Sequence, residues 1–327
     1  MTSHTYDFAR KDLLSLLGWP LLPVACFALF MHLGAALPLL PKPRPTLDID
    51  HTLLIQKIEA SRARQDAPIL LLGDSSCLMD VAARPLSDAL RRRALNLGTL
   101  SYLDLNAAAA LLREYTAANP GQLRLVVLLL HPEALRRIAP EAYHVELLQA
   151  LLSGRERVPL PGARESLASL LGLDLFRGRL LCRFLPTPLP GAYGRYYGFS
   201  ADLEHSLTER QGTAVDPDSQ PFQGNAEYRL AQPFQAASKA FRSALPQGVR
   251  LLVGITPAPE GFVSPTHREV CGQMLAQWSQ WLQADAALTE LPFTLPDHLF
   301  ARTTHLNEAG ARLYTEILAR SLEPHLR

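Results

Sequence analysis

Ala67-Pro68-Ile69-Leu70-Leu71-Leu72-Gly73-Asp74-Ser75-Ser76 is the stretch on which the architecture turns. A short apolar run bounded by Pro and Gly is the pattern of a strand buried on both faces, as in a parallel sheet with helices over it. The next fifty residues repeat the theme. Val81 to Arg93 has helical spacing with a basic tail, Ala94 to Leu97 is a second short apolar segment ending at Gly98, and Leu103 to Ala118 is rich in helix formers. Leu125 to Leu130 is an unbroken run of Leu and Val. Such alternation predicts an α/β fold, a three-layer α/β/α sandwich around a mostly parallel, flavodoxin-like sheet. Right-handed crossovers put function at the carboxyl ends of the strands, where Gly73, Gly98 and His131 fall.

Toward the C-terminus the alternation returns. A helix is expected over Tyr228 to Ala244, a strand over Arg250 to Ile255, a helix over Ser264 to Ala284, a last strand around Leu291 to Leu295 and a closing helix from Asn307 to Leu322. Between the halves, residues 143–225 loosen into Leu-rich pieces and then a stretch rich in Pro, Gly, Ser, Gln and Tyr. This reads as an insertion or lid within one domain of residues 67–327.

Upstream, Leu13 to Leu40 contains no Asp, Glu, Lys or Arg, and only His32 is ionisable. As a helix this stretch would run roughly 42 Å, more than a hydrocarbon core of about 30 Å needs. Residues 13–40 are therefore expected to form one transmembrane anchor. Trp19 suits an interface, Pro20 and Pro23 suit a kink or a first turn, and the span should end before Pro41. The run exceeds the usual h-region of a cleaved signal peptide, which favours an uncleaved anchor. Residues 1–12 then form a cytoplasmic N-terminus, and residues 41–66 a proline-rich linker with a short helix from Leu53 to Arg64.

The chain's 32 Lys and Arg against 31 Asp and Glu provide no electrostatic attraction for nucleic acid, and none is expected as a partner. Cys26, Cys77, Cys182 and Cys271 are scattered without CxxC or metal-ligand spacing. No metal site, P-loop or dinucleotide fingerprint is legible, and no cofactor is expected.

Two places carry chemistry. Ser75 follows a buried strand and precedes a helical segment, which presents its hydroxyl beside backbone N–H groups able to hold a developing oxyanion. The same turn also suits a plain helix cap by Asp74 or Ser75. His305, in Thr303-Thr304-His305-Leu306-Asn307-Glu308-Ala309-Gly310, is expected in a loop leading into the final helix. It offers a neutral imidazole that can take a hydroxyl proton.

On these residues the chain resembles the SGNH, or GDSL-type, hydrolases and acyltransferases. Gly73, Asp74 and Ser75 match the first block. Asn96, Gly98 and Ser101 stand at the second, with Ser101 in the place of its last Gly. His305, Leu306, Asn307 and Gly310 match the final block. The resemblance covers roughly Pro68 to His131 and Arg250 to Leu322. It implies Ser75 as nucleophile, His305 as base, and an oxyanion hole from the backbone N–H groups of Ser75, Gly98 and Ser101. Two positions depart from the pattern. Arg302 stands where the family's Asp orients the imidazole, and His131-Pro132-Glu133 replaces the third block, so its Asn is absent. Catalysis would then use a dyad, or recruit Asp297 or Glu308 as orienting acid. Asp74, Asn96, His131 and Arg302 are candidate substrate contacts. Tyr193, Arg195, Tyr196 and Tyr197 make a candidate glycan platform of flat aromatic faces and a carboxylate-pairing guanidinium.

One N-terminal span followed by such a domain resembles the accessory proteins that O-acetylate exported polysaccharides beside a membrane-bound O-acyltransferase. The resemblance implies an inner-membrane, single-pass protein with its main domain periplasmic or otherwise extracytoplasmic. It would carry an acyl group on serine to a cell-surface polysaccharide. Ester hydrolysis uses the same acyl-enzyme and is not separable by sequence. A catalytically degenerate scaffold of a polysaccharide secretion or modification complex is the reading that Arg302 and the missing Asn favour.

Overall fold

The computed structural model describes residues 10–37, 39–40, 49–137, 139–154, 167–168, 170–176, 180 and 222–326. The chain divides into two compact units, one of Met1–Arg44 with Gln149–Pro186 and the other of Pro45–Leu148 with Thr187–Arg327.

In the first unit, α1 (Arg10–Ala36) holds both Pro20 and Pro23 in its interior. The prolines therefore do not mark a first turn. Each removes one N–H from the helical ladder, leaving the carbonyls of Leu16 and Trp19 without their usual donors. The stretch Gly18–Ala36 is long and apolar enough to cross a membrane. Its Trp19, Leu21, Leu29 and Phe30 are exposed.

The second unit is α/β. After α2 (Ile49–Arg62) come β1 (Ile69–Gly73), α3 (Ser75–Asp80), α4 (Ala83–Leu90), β2 (Ala94–Asn96), α5 (Leu105–Ala118), β3 (Leu125–Leu130), α6 (Pro132–Leu135) and the start of α7 (Ala142–Leu152). The chain continues through α8 (Phe234–Ala244), β4 (Arg250–Ile255), β5 (Ala258–Pro259), α9 (His267–Leu282), β6 (Ala286–Ala287), β7 (Thr294–Leu295), β8 (Phe300–Arg302), β9 (His305–Leu306) and α10 (Glu308–Leu322).

Five strands form one sheet in the order β2-β1-β3-β4-β6, and every pairing in it is parallel. Every residue of β1 and β3 is buried, which is why both read as continuous apolar runs. Ile69, Leu71, Val127, Leu129 and Leu252 pack into one core with Tyr314, Leu318 and Leu322 of α10. The strand order reverses direction between β1 and β3, and ligands of open parallel sheets bind at the carboxyl ends beside such a reversal. Gly73 closes β1 there. A Cβ on it would stand 1.9 Å from the Leu129 carbonyl oxygen of β3, so only glycine lets the two strand ends run this close.

The helix expected within Val81 to Arg93 is α4, and a further short helix, α3, precedes it from Ser75. Two sequence expectations are corrected. The fifth strand of the main sheet is Ala286–Ala287 rather than Leu291 to Leu295. Thr294–Leu295 pairs instead with β5, in a small parallel sheet of its own. His305 lies not in a loop but in β9, the second arm of an antiparallel hairpin with β8.

Candidate active site

Asp74 closes β1 and caps α3, its Oδ1 accepting the N–H of Ser76 at 3.0 Å and of Cys77 at 3.4 Å. The same oxygen takes the Ser76 hydroxyl at 2.6 Å, and Oδ2 takes the backbone N–H of His131 at 3.0 Å. Thr256, just beyond β4, donates to Ser76 Oγ at 2.7 Å. One carboxylate thus ties together the ends of β1 and β3, and through Ser76 that of β4. Capping and presentation of the serine are two halves of one device, since the cap holds Ser75 as the first residue of α3.

Ser75 Oγ lies 2.9 Å from Nε2 of His305 and 2.5 Å from Oγ of Ser101. Two proton arrangements satisfy both contacts, one with Nε2–H donating to Ser75 and Ser75 to Ser101, the other reversed. In the one that readies Ser75 for attack, Ser75 donates to the imidazole and the Ser101 hydroxyl donates to Ser75. The side chain of Ser101 therefore meets Ser75 itself, where sequence reading assigned only its backbone. The N–H groups of Ser75 and Ser101 have no acceptor among the described residues.

Gly98 does not fit its expected place in an oxyanion hole. Its N–H is held by Oδ1 of Asn96 at 2.8 Å. Asn96 in turn spends its amide on the carbonyls of Cys77 and Val81, at 2.8 and 3.0 Å. Asn96 is fully buried and Asp74 is 3% exposed with its acceptors filled, so both are corrected from substrate contacts to internal fasteners of the β1 and β2 turns.

The orienting acid is also corrected. Asp297 accepts the backbone N–H of Gly261 at 2.8 Å, and Glu308 is the exposed first residue of α10. No hydrogen bond reaches Nδ1 of His305 among the described residues. Arg302 faces His305 across the hairpin. Burial, and then that guanidinium, push the imidazole down to about 4.

His131 is 1% exposed, and its Nδ1 accepts the N–H of Glu133 at 3.1 Å. Burial, then the charges of His305, His267 and Arg136, hold it neutral, down at about 3. With Nδ1 taken as acceptor, the proton of the neutral ring sits on Nε2, a buried donor without a partner among the described residues. The ring packs edge-on against Tyr228, 5.9 Å between centroids.

No protein-family model, curated protein or solved structure matches this chain. What the site can do therefore rests on its own geometry.

Sequence reading missed Asp80. From the end of α3 its Oδ1 accepts the Leu306 N–H at 2.8 Å, fastening the residue next to His305 to the helix that Ser75 begins. The only sequence signal was a lone acid between apolar neighbours, Met79 and Val81. Tyr193, Arg195, Tyr196 and Tyr197, the proposed glycan platform, lie outside the described residues, as does much of the expected insertion or lid.

Proposed function

We propose that the protein is an SGNH-like serine acyltransferase or esterase, anchored to a membrane by α1, that handles an acyl ester of an exported polysaccharide. The observation that carries this reading is the 2.9 Å contact between Ser75 Oγ and His305 Nε2, made over the carboxyl edge of a parallel sheet by residues 230 positions apart. The strand order supports the finer architecture of a flavodoxin-like, three-layer sandwich, with α3, α4 and α10 as one group of packed helices and α2, α5, α8 and α9 as another.

In the proposed reaction Ser75 Oγ attacks the acyl carbonyl carbon while its proton passes to His305 Nε2. The oxyanion is held by the N–H groups of Ser75 and Ser101. His131 Nε2–H supplies the third donor, in the place that the resembled family gives to an Asn. The tetrahedral intermediate collapses, and the leaving alkoxide takes the proton from the imidazolium. A sugar hydroxyl, or water, then gives its proton to His305 and attacks the acyl-serine. The product is a new ester or a free acid, and Ser75 is regenerated. A membrane-bound O-acyltransferase that hands on the acyl group fits the α1 anchor, with the α/β unit on the extracytoplasmic side of the inner membrane.

A specific observation favours a second reading, a scaffold with degenerate chemistry. Among the described residues no carboxylate meets Nδ1 of His305, and Arg302 opposes its protonation. Losing the third member of a serine triad costs about 10⁴ in turnover elsewhere.

The test is the full-length chain in detergent, given a fluorophosphonate probe and an aryl acetate, with and without an oligosaccharide acceptor. Labelling and turnover that vanish in Ser75→Ala support the enzyme. An unlabelled Ser75 in a folded chain supports the scaffold.

A further inference from the structure

Residues 167–176 carry apolar side chains that the protein leaves uncovered. Leu167, Leu170 and Leu173 are 56%, 67% and 45% exposed, and Phe176 is 37% exposed. Single helical turns lie on either side of Gly172, with Leu171 N bonded to Leu167 O at 2.9 Å and Phe176 N to Gly172 O at 3.0 Å. The segment is fastened to one end of α1. His32 Nε2 meets the Leu170 carbonyl at 3.0 Å, the rings of Phe27 and Phe176 meet edge-on at 5.6 Å, and Leu175 is buried with Met31 and Leu40. Gly172 permits the approach: its φ is +69°, and a Cβ would stand 2.8 Å from that of Met31.

These attachments sit on α1 between Phe27 and His32, in the second half of the Gly18–Ala36 stretch. At about 1.5 Å per residue, Met31 is some 8 Å short of the end of that apolar run. Amphipathic helices that lie in a bilayer surface bury their apolar face to about that depth, roughly 5–10 Å. Leu29, Phe30 and Leu33 of α1 are exposed as well. In the sequence, Asp174 is the only acid between Leu167 and Arg183, against Arg177, Arg179 and Arg183. That balance suits anionic head groups.

We propose that residues 167–176 form a second membrane contact, lying in the interface of the same anionic phospholipid bilayer that α1 crosses. Leu167, Leu170, Leu173 and Phe176 enter the acyl boundary. The inference rests on α1 as a span and is independent of the chemistry at Ser75. Membrane attachment is then a built surface of the first unit, with α1 as one part of it.

The test uses the full-length chain with Cys26→Ser and Cys182→Ser; Cys77 and Cys271 are fully buried. A nitrobenzoxadiazole label is placed on Leu170→Cys, and in separate samples on Leu173→Cys or Leu22→Cys. Each is reconstituted into phosphatidylcholine and phosphatidylglycerol vesicles carrying nitroxides near the head group or deep in the chains. The expected result is deep quenching at position 22, with blue-shifted emission at 170 and 173 quenched most by the shallow nitroxide. Deep quenching at 22 with water-like emission at both 170 and 173 overturns the inference and leaves the span standing. No quenching at any position removes span and inference together. A blue shift at 170 that nitroxide lipids leave unchanged and that tracks protein density assigns the surface to a second copy of the chain, which also overturns the proposal.

Discussion

Asp80 Oδ1 accepts the backbone N–H of Leu306 at 2.8 Å, across 226 positions of sequence. The bond joins the helix that begins with Ser75 to the strand that carries His305, so it fixes the spacing of those two residues without touching either side chain. Burial raises the Asp80 carboxyl well above the ordinary value of 3.8. A group raised on folding contributes stability that is present below its unfolded pKa and lost as pH rises through the folded one. Asp80→Asn keeps the acceptor and cannot ionise, so it should melt at or above the parent temperature and lose less stability on the alkaline side. Asp80→Ala leaves the Leu306 N–H without its acceptor, at a cost of about 1–3 kcal/mol. Thermal unfolding of both variants across pH, read beside turnover, is the check. Equal melting of parent and Asp80→Ala would show that the bond does not hold the hairpin.

His305 is lowered from 6.5 to about 4, first by burial and then by Arg302. The folded protein keeps the imidazole neutral between those values, where the unfolded chain would protonate it. Stability is therefore complete above about pH 6.5 and falls as pH drops toward 4. His131, down at about 3, adds in the same direction. For the reaction, kcat/KM on an aryl acetate should stay level from neutral pH to about pH 5 and decline only below. Arg302→Asp places a carboxylate opposite His305 on the hairpin. It should move the acid limb upward by a pH unit or more and raise turnover about tenfold or better, a fraction of the roughly 10⁴ such a group can supply. An unmoved limb would count against His305 as the titrating base.

How much of this the sequence discloses depends on the range of the interaction that decides it. Leu125–Leu130 and Arg250–Ile255 were legible to the residue, because burial on both faces leaves an apolar run, unbroken in the first and opened by Arg250 in the second. Ala286–Ala287 was not, since two alanines beside Asp285 carry no strand signal, and pairing with Leu252 and Val253 alone makes them a strand. Leu291 to Leu295 misled for the converse reason: its apolar pattern belongs to a segment whose partner is Ala258–Pro259. Ser75 and His305 were legible because each stands in a local motif. Asp80, the hydroxyl of Ser101 and the tautomer of His131 were not, because each is set by a group from another element. The error over Asp297 has the same origin. Nearness along the chain to His305 did not bring its carboxylate to the ring, and Gly261 holds it instead.

Ser101 separates a side-chain role from a backbone one. Its hydroxyl meets Ser75 Oγ at 2.5 Å, whereas the oxyanion would use its N–H. Ser101→Ala and Ser101→Gly both keep the N–H and lose the hydroxyl. Each should lower kcat by several-fold, the effect of about 1 kcal/mol from one orienting hydrogen bond, with KM little changed. A loss of a thousandfold in both would assign the hydroxyl itself to the oxyanion or to proton transfer.

His131 is the residue whose replacement best divides the enzyme from the scaffold. Its Nδ1 caps Glu133 and its Nε2–H has no partner among the described residues, an arrangement that costs stability unless something uses the donor. Asparagine can reproduce both halves, with Oδ1 accepting from the Glu133 N–H and Nδ2 donating. Alanine reproduces neither, and methionine fills the volume with no donor. If Nε2–H faces the oxyanion, His131→Asn should keep turnover on an aryl acetate within about tenfold. His131→Met should lose about 10²–10³ in kcat, the usual effect of removing one such donor. KM and melting temperature, measured in parallel, guard against simple unfolding. In a scaffold there is no activity to lose, and His131→Met, which gives up the Glu133 cap along with the unpaired donor, should differ from His131→Asn in melting temperature alone.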